Sequence, residues 1–340
     1  MGLSAPLLAA LLAPPAAPAA CPDVATWWAR HRAAWQSAAA PIEASIGAGL
    51  RADRAGWAFA SAYQAALRAL LPELPDDAVA ALCVTEAAGN APRQLRTTIR
   101  DDGAGGLVID GHKRWTTLGP ASGLLLVAAV AADGAPAPHP TVRVVRVPGD
   151  APGVRLQAMP ATRFVPEVPH AEVSLHRVRV DASAVLPGDG WTQVVKPFRT
   201  VEDIHVSAAL LACRYACMRR HDGPVDWCER ALVVLGAFAD LAARDPRAPA
   251  THLLLAGTLS FADALFAQAD AHCAGCPADD ELARWTRDAP LLKVASAVRP
   301  QRTARAWQQV ALRSCAGPPV TGSAPAGPSA APRSAGAGRA

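Results

Sequence analysis

Residues 82–119 read LCVTEAAGNAPRQLRTTIRDDGAGGLVIDGHKRWTTLG, and this stretch decides the fold. Its front, Leu82 to Glu86, is an apolar run ending in a hydroxyl and a carboxylate, and the small residues 87–92 that follow are turn formers. A strand therefore empties into a loop that leaves backbone open to a ligand. Gln94 to Arg100 and Gly106 to Ile109 read as two more strands, joined by the Asp-Asp-Gly-Ala-Gly turn at 101–105. A second turn is expected at Asp110-Gly111, delivering His112 to Thr117. Thr85 and the Trp115/Thr117 pair then fall at strand ends that one sheet can bring side by side.

Outward from this stretch, the runs 124–130, 141–147 and 171–180 are continuous or alternating in apolar residues and are separated by Pro, Gly and Asp turns. They leave no helix long enough for a parallel crossover, so residues 81–195 are expected to form a mostly antiparallel barrel or sandwich. Residues 23–80 before them carry a helical pattern, with Trp27, Trp28, Trp35 and Trp57 at turn spacing. Aromatic residues so spaced are read as core rather than as a ligand box. Residues 196–313 change to amphipathic helices bounded by Pro224, Pro246 and Pro249, with Pro290 and Pro300 set to kink or divide the last, and read as a four-helix bundle. The expected class is α+β, with helices, a β-domain and a bundle in that order. The Gly/Pro/Ala-rich tail, 314–340, is expected to be disordered.

The first 22 residues form an uncharged apolar extension broken by Pro14, Pro15 and Pro18. It is either a signal peptide or a translated upstream extension. The missing Lys or Arg ahead of the apolar run argues against secretion, and the prolines against a membrane span, so a cytoplasmic location is expected. The eight cysteines lie mostly in apolar or helical stretches without the regularity of a disulfide scaffold, as reduced thiols do. Cys273-Ala274-Gly275-Cys276 has redox or metal spacing, yet no second pair follows, no strand precedes and Pro277 closes a turn, so no metal site is assigned. Half of the 340 residues are apolar, enough for a sizeable core, and a net charge of +4 spread along the chain without interleaved aromatics sets nucleic acid aside.

Several of these segments together resemble the acyl-coenzyme A dehydrogenases. The residues that carry the resemblance are Cys83-Val84-Thr85-Glu86 with its small-residue loop, Arg96-Thr97, the run Asp110 to Thr117, and the strand Ala171 to Val180 leading into Val185-Leu186-Pro187-Gly188. The resemblance spans about residues 56–220 and implies an FAD between β-domain and bundle. It implies that Val84 and Thr85 contact the isoalloxazine, that Trp115 packs on it, that Thr117 bonds near its reactive nitrogen, and that Asn90 replaces a loop serine near cofactor and substrate. It further implies an acyl-CoA or related small substrate, an electron-transfer flavoprotein as acceptor and a homo-oligomeric assembly.

Dehydrogenating an acyl thioester needs a carboxylate to take the α-proton while the β-hydride leaves. The glutamate that most of the family places late in the helical region has no match here. A minority places it at the start of the first bundle helix, where this chain offers Glu202 and Asp203 in Phe198-Arg199-Thr200-Val201-Glu202-Asp203. The same string also reads as a helix cap, Thr200-x-x-Asp203. The family's Arg-x-x-Phe-Gly after that helix is absent from Arg219 to Pro224. The expected activity is that of an FAD-dependent acyl-CoA dehydrogenase-like oxidoreductase, with a non-catalytic binding protein and a flavin monooxygenase on the same scaffold as the alternatives.

Overall fold

The computed structural model describes residues 2–132, 140–294, 296 and 298–315. Helices come first: α1 (Ala5–Leu12), α2 (Val24–Ser37), α3 (Pro41–Arg51) and α4 (Ala55–Leu70). Strands follow: β1 (Ala80–Cys83), β2 (Thr98–Asp101), β3 (Leu107–Thr117), β4 (Leu124–Ala131), β5 (Val142–Pro148), β6 (Val154–Ala158) and β7 (His170–Val180). The chain then returns to helix with α5 (Lys196–Arg220), α6 (Val225–Ala242), α7 (Pro249–Cys273), α8 (Asp280–Asp288) and α9 (Arg299–Cys315). The helix, sheet, helix order expected from sequence is the order observed. The expected disordered tail lies, from residue 316 on, outside the described residues.

The strands form one sheet in the order β1-β4-β2-β3-β7-β6, with β5 on the other edge of β4. Most neighbours are antiparallel, but β1 and β2 both run parallel to β4, so the pairing is mixed. β4 is apolar throughout because both its faces are covered. Leu126 and Ala128 join Trp57, Tyr63 and Phe198 beneath the helices, while Leu125, Val127 and Ala129 pack with Ile99, Ile109, Val173 and Val178 inside the curl of the sheet.

The turn expected at Asp110-Gly111 does not form. β3 runs straight through, with a register shift against β7 between Ile109 and Gly111. An Asp-Gly pair is a hairpin signal because Gly tolerates turn geometry. Here Gly111 serves close approach instead, since a Cβ at that position would overlap Thr97.

α5 is the spine of the helical half. Its Ala208, Leu211, Tyr215 and Met218 pack with residues of α3, α6 and α7 in one core. A wide π-type turn, Trp191–Val195, feeds into it without a break. The last bundle helix is divided at Pro290 into α8 and α9, where the sequence placed a kink or break. By length and composition α7 could cross a membrane; Leu255, Leu259, Leu265 and Phe266 pack into the bundle core, while Leu254 and Phe261 on the other face are exposed. The apolar extension is part of the same body: Ser4 bonds Glu43 of α3 through its amide (2.8 Å) and hydroxyl (2.9 Å). Leu7 and Leu11 are buried against α3 and α5.

Candidate functional site

Lys113 anchors the wall of the site. Its side chain has no solvent exposure, and its ammonium lies 2.6 Å from Glu86 Oε1 and donates to the Val84 carbonyl at 3.4 Å. Glu86 also accepts from the Arg96 and Thr97 amides at 2.6 and 3.1 Å. Burial pushes the Glu86 carboxyl up, but Lys113 and the two amides outweigh it and hold it below the usual carboxylate range. The pairing of Glu86 with Lys113 thus ties β1, the following loop, β2 and β3 at one point.

With that point fixed, the Arg114 amide donates to the Thr85 carbonyl at 2.9 Å, which sets Val84-Thr85 alongside Trp115 to Thr117. A second register shift of β3, between Lys113 and Thr116, surrounds Trp115. Trp115 takes φ of 58°, a region costly for a bulky L-residue. Its indole is 49 % exposed, edge-on to His170 at 6.2 Å and under the Arg114 guanidinium at 5.5 Å. Thr85 and Thr117 are half-buried beside it. Asn90 is exposed on a turn tighter than the open loop foreseen, closed by reciprocal Glu86–Gly89 backbone bonds of 2.9 and 3.0 Å. Gly89 has φ of +127° and is closed over by the Gln94 side chain.

The two acidic candidates on α5 part company. The Asp203 carboxylate is held by Arg299 and Arg302 of α9, each at 2.7 Å, and is buried. Glu202 has no hydrogen-bond or ion-pair partner among the described residues, and its carboxyl is pushed up to about 7, first by burial and then by the Asp203 charge, with Arg199 opposing. Thr200 is buried inside the helix, so the capping arrangement read from Thr200 and Asp203 is not formed; α5 starts earlier, at Lys196. Tyr63 of α4, one of two tyrosines in the chain, feels the Glu202 charge. Its hydroxyl accepts from the Leu82 amide at 2.8 Å. Glu202 is therefore linked to the end of β1 through Tyr63, a residue that the sequence reading had not singled out. Phe198, edge-on to Tyr63 at 5.7 Å, belongs with Val201, Leu82 and Val84 to one apolar cluster.

A cavity of about 770 Å³ lies elsewhere, beneath the segment Ala10 to Ala19 and against Trp27, His31 and Trp57. Trp27 and Trp57 stack at 5.8 Å as packed core aromatics, in line with their helical spacing.

This arrangement of wall, spine and bundle has known counterparts. Residues 81–178 match the family described as the acyl-CoA dehydrogenase middle domain. The fold of this chain is acyl-CoA dehydrogenase-like. The acyl-CoA dehydrogenase-like fold extends beyond the matched segment, as solved structures show. Butyryl-CoA dehydrogenase from Megasphaera elsdenii superposes with a TM-score of 0.66 at 15 % identity, over 84 % of this chain and 90 % of that one. FkbI, described as serving biosynthesis of a methoxymalonyl extender unit, gives 0.61 at 22 % identity over 82 % and 84 %. FMN-bound TdsC from Paenibacillus sp. A11-2 gives 0.65 at 13 % identity over 79 % and 83 %. No curated protein matches the sequence.

Proposed function

We propose that this chain is a flavin-dependent oxidoreductase that dehydrogenates an acyl thioester, with FAD as its flavin and Glu202 as the base. The observation that carries the reading is the Glu202 carboxyl: unpaired among the described residues, held near 7, and close enough to Tyr63, whose hydroxyl meets the Leu82 amide at the end of β1, for its charge to be felt there. A base is most effective when it titrates near the working pH.

The wall fits an isoalloxazine. Trp115 keeps a strained backbone and turns half its indole to solvent on a strand whose neighbours Lys113 and Thr116 are fully covered, which suits a flat aromatic partner. Val84 supplies a further apolar contact, and the Thr85 and Thr117 hydroxyls supply donors. When bound, a flavin supplies the acceptor for the β-hydride. The protein's own part is to take the α-proton at Glu202 and to keep water away with Tyr63, Phe198 and Val201. Asp203, held by two arginines, is engaged elsewhere, and its charge raises the proton affinity of Glu202.

Acyl-CoA is the proposed substrate and an electron-transfer flavoprotein the proposed acceptor. A homo-oligomer is the proposed assembly, supported by the exposed Val233, Leu254 and Phe261 of α6 and α7. The test is purification followed by absorbance spectroscopy, with chromatography of the released cofactor to separate FAD from FMN. Anaerobic bleaching by acyl-CoA, lost in Glu202→Gln, is the expected result. A protein that takes up no flavin even when FAD is supplied would return the fold to a binding role, and oxygen consumption with reduced flavin but no bleaching would favour a monooxygenase.

A further inference from the structure

The C-terminal end of α5 gathers chemistry that the flavin site does not use. Cys217 and His221, four residues apart, share one face of the helix. The sulfur of Cys217, a ring nitrogen of His221 and a carboxylate oxygen of Glu281 lie within 4.8 Å of one another. His221 Nε2 is 3.7 Å from Glu281 Oε2 and 3.3 Å from Asp279 Oδ2. Cys273, the last residue of α7 and the first cysteine of the Cys-x-x-Cys pair, is a hydrogen-bond neighbour of Cys217. Its sulfur also lies 3.8 Å from Met218 Sδ. Three chain segments thus deliver two thiols, an imidazole and a carboxylate to one spot.

The geometry points to a structural divalent-metal site, of the kind zinc occupies, built by Cys217, His221, Glu281 and Cys273. Zinc bonds of about 2.0 to 2.3 Å in a tetrahedron set ligand atoms roughly 3.3 to 3.8 Å apart, so the Cys217, His221 and Glu281 atoms, all within 4.8 Å of one another, need to close by no more than about 1.5 Å, with Cys273 swinging in from beside Cys217. The surroundings match such a centre. Two thiolates and a carboxylate around a dication leave one net negative charge. Arg220 pairs with both oxygens of Glu281, and Arg214 Nη1 donates to Cys217 Sγ at 3.6 Å, so Glu281 and Cys217 already have the outer hydrogen-bond partners that metal ligands require. The His221 carbonyl is bonded by the ring of His272 at 3.0 Å, which fixes the helix end where the imidazole is mounted. Cys276 is directed elsewhere, its thiol donating to the His272 carbonyl at 3.7 Å.

The site is separate from the proposed reaction centre, because Cys217 is fifteen residues beyond Glu202 on α5, about 22 Å along the helix axis. Its effect is to clasp the ends of α5 and α7 to the start of α8, across the turn 274–279.

The experiment is metal analysis of the full chain purified under reducing conditions, followed by cobalt titration of the chelator-treated protein. Expected are one zinc per chain and a thiolate-to-cobalt charge-transfer band in the near ultraviolet. Outer-shell changes alone weaken metal sites roughly 10- to 100-fold, so Cys217→Ser and Glu281→Gln should each weaken cobalt binding by more than about 100-fold. Cys276→Ser should leave it unchanged. Glu281→Gln decides the matter should Cys217→Ser fail to fold, because Glu281 stands at the partly exposed rim. Protein that takes up neither metal, a cobalt spectrum without the thiolate band, or an intact mass showing a Cys217–Cys273 disulfide in place of metal would overturn the assignment. So would Cys276→Ser acting as strongly as Cys217→Ser.

Discussion

Glu202→Gln should stabilise the protein while abolishing its proposed chemistry, and the stabilisation should depend on pH in a fixed direction. Burial and the Asp203 charge raise the Glu202 carboxyl from the ordinary 4.5 to about 7 in the folded chain. Each pH unit of such displacement is worth about 1.4 kcal/mol, so an ionised Glu202 costs the fold about 3 kcal/mol relative to the unfolded chain. Below pH 4.5 both states carry the proton and the cost is absent. Between 4.5 and 7 the unfolded chain has released a proton that the folded chain keeps, so stability falls as pH rises; above 7 both states are ionised and the cost is constant. The neutral amide avoids it throughout. Urea unfolding of wild type and variant at pH 4.5, 6 and 8 should therefore show near-equal stability at the lowest pH and an advantage for the variant that grows to about 3 kcal/mol at the highest. A gap that does not change with pH, or one favouring wild type at pH 8, would refute the desolvated, half-buried carboxylate on which the proposed base depends.

Lys113→Met removes the cation beneath Glu86 but leaves the two backbone amides, so denaturant titration should show a loss of about 3 kcal/mol, at the low end for a broken buried pair. Trp115→Gly relieves the positive φ, so the melting temperature should hold or rise by the equivalent of about 1 kcal/mol. The same change should weaken flavin retention roughly fivefold through the lost ring contact, as read by fluorescence titration. Asp203→Asn leaves Arg299 and Arg302 short of their buried partner, and limited proteolysis should cut α9 first, with a stability loss of about 3 to 5 kcal/mol. Leu11→Ala opens a cavity in the shared core of α1, α3 and α5 and should cost about 2 to 5 kcal/mol by the same denaturant titration.

Strand runs and helical stripes were legible in the sequence because they are local periodicities: the β4 run, the Trp27 stripe and the proline between α8 and α9 each declare themselves within a few residues. What stayed hidden was set by partners distant along the chain. Glu202 and Asp203 are adjacent in sequence, but successive helical residues point about 100° apart, so one meets the arginines of α9 and the other the Tyr63 side of β1. The arginines stand some hundred positions further on, and no motif links them. Asp110-Gly111 carried a genuine turn signal that close approach to Thr97 overrode. The extension before residue 22 had the composition of a leader, yet its Leu7 and Leu11 found a core that only the assembled α3 and α5 provide. Cys273-x-x-Cys276 lacked a second pair on its own strand of sequence, and its candidate partners came from the end of α5.

The wide turn at Trp191–Val195 has a consequence for how the molecule breathes. Native-state hydrogen exchange should find the slowest amides along Ala208 to Met218, where every neighbour of α5 is packed. The turn ahead of them bonds less well than regular helix and should open on its own, by a local fluctuation far cheaper than unfolding. Trp191 in that turn lies 5.3 Å from the guanidinium of Arg199, the residue that opposes the raised proton affinity of Glu202. Loosening the turn frees Arg199 from its aromatic platform while the rest of α5 stays closed. Trp191→Phe, which shrinks that platform, should therefore speed exchange of the turn's amides while leaving those of Ala208 to Met218 unchanged.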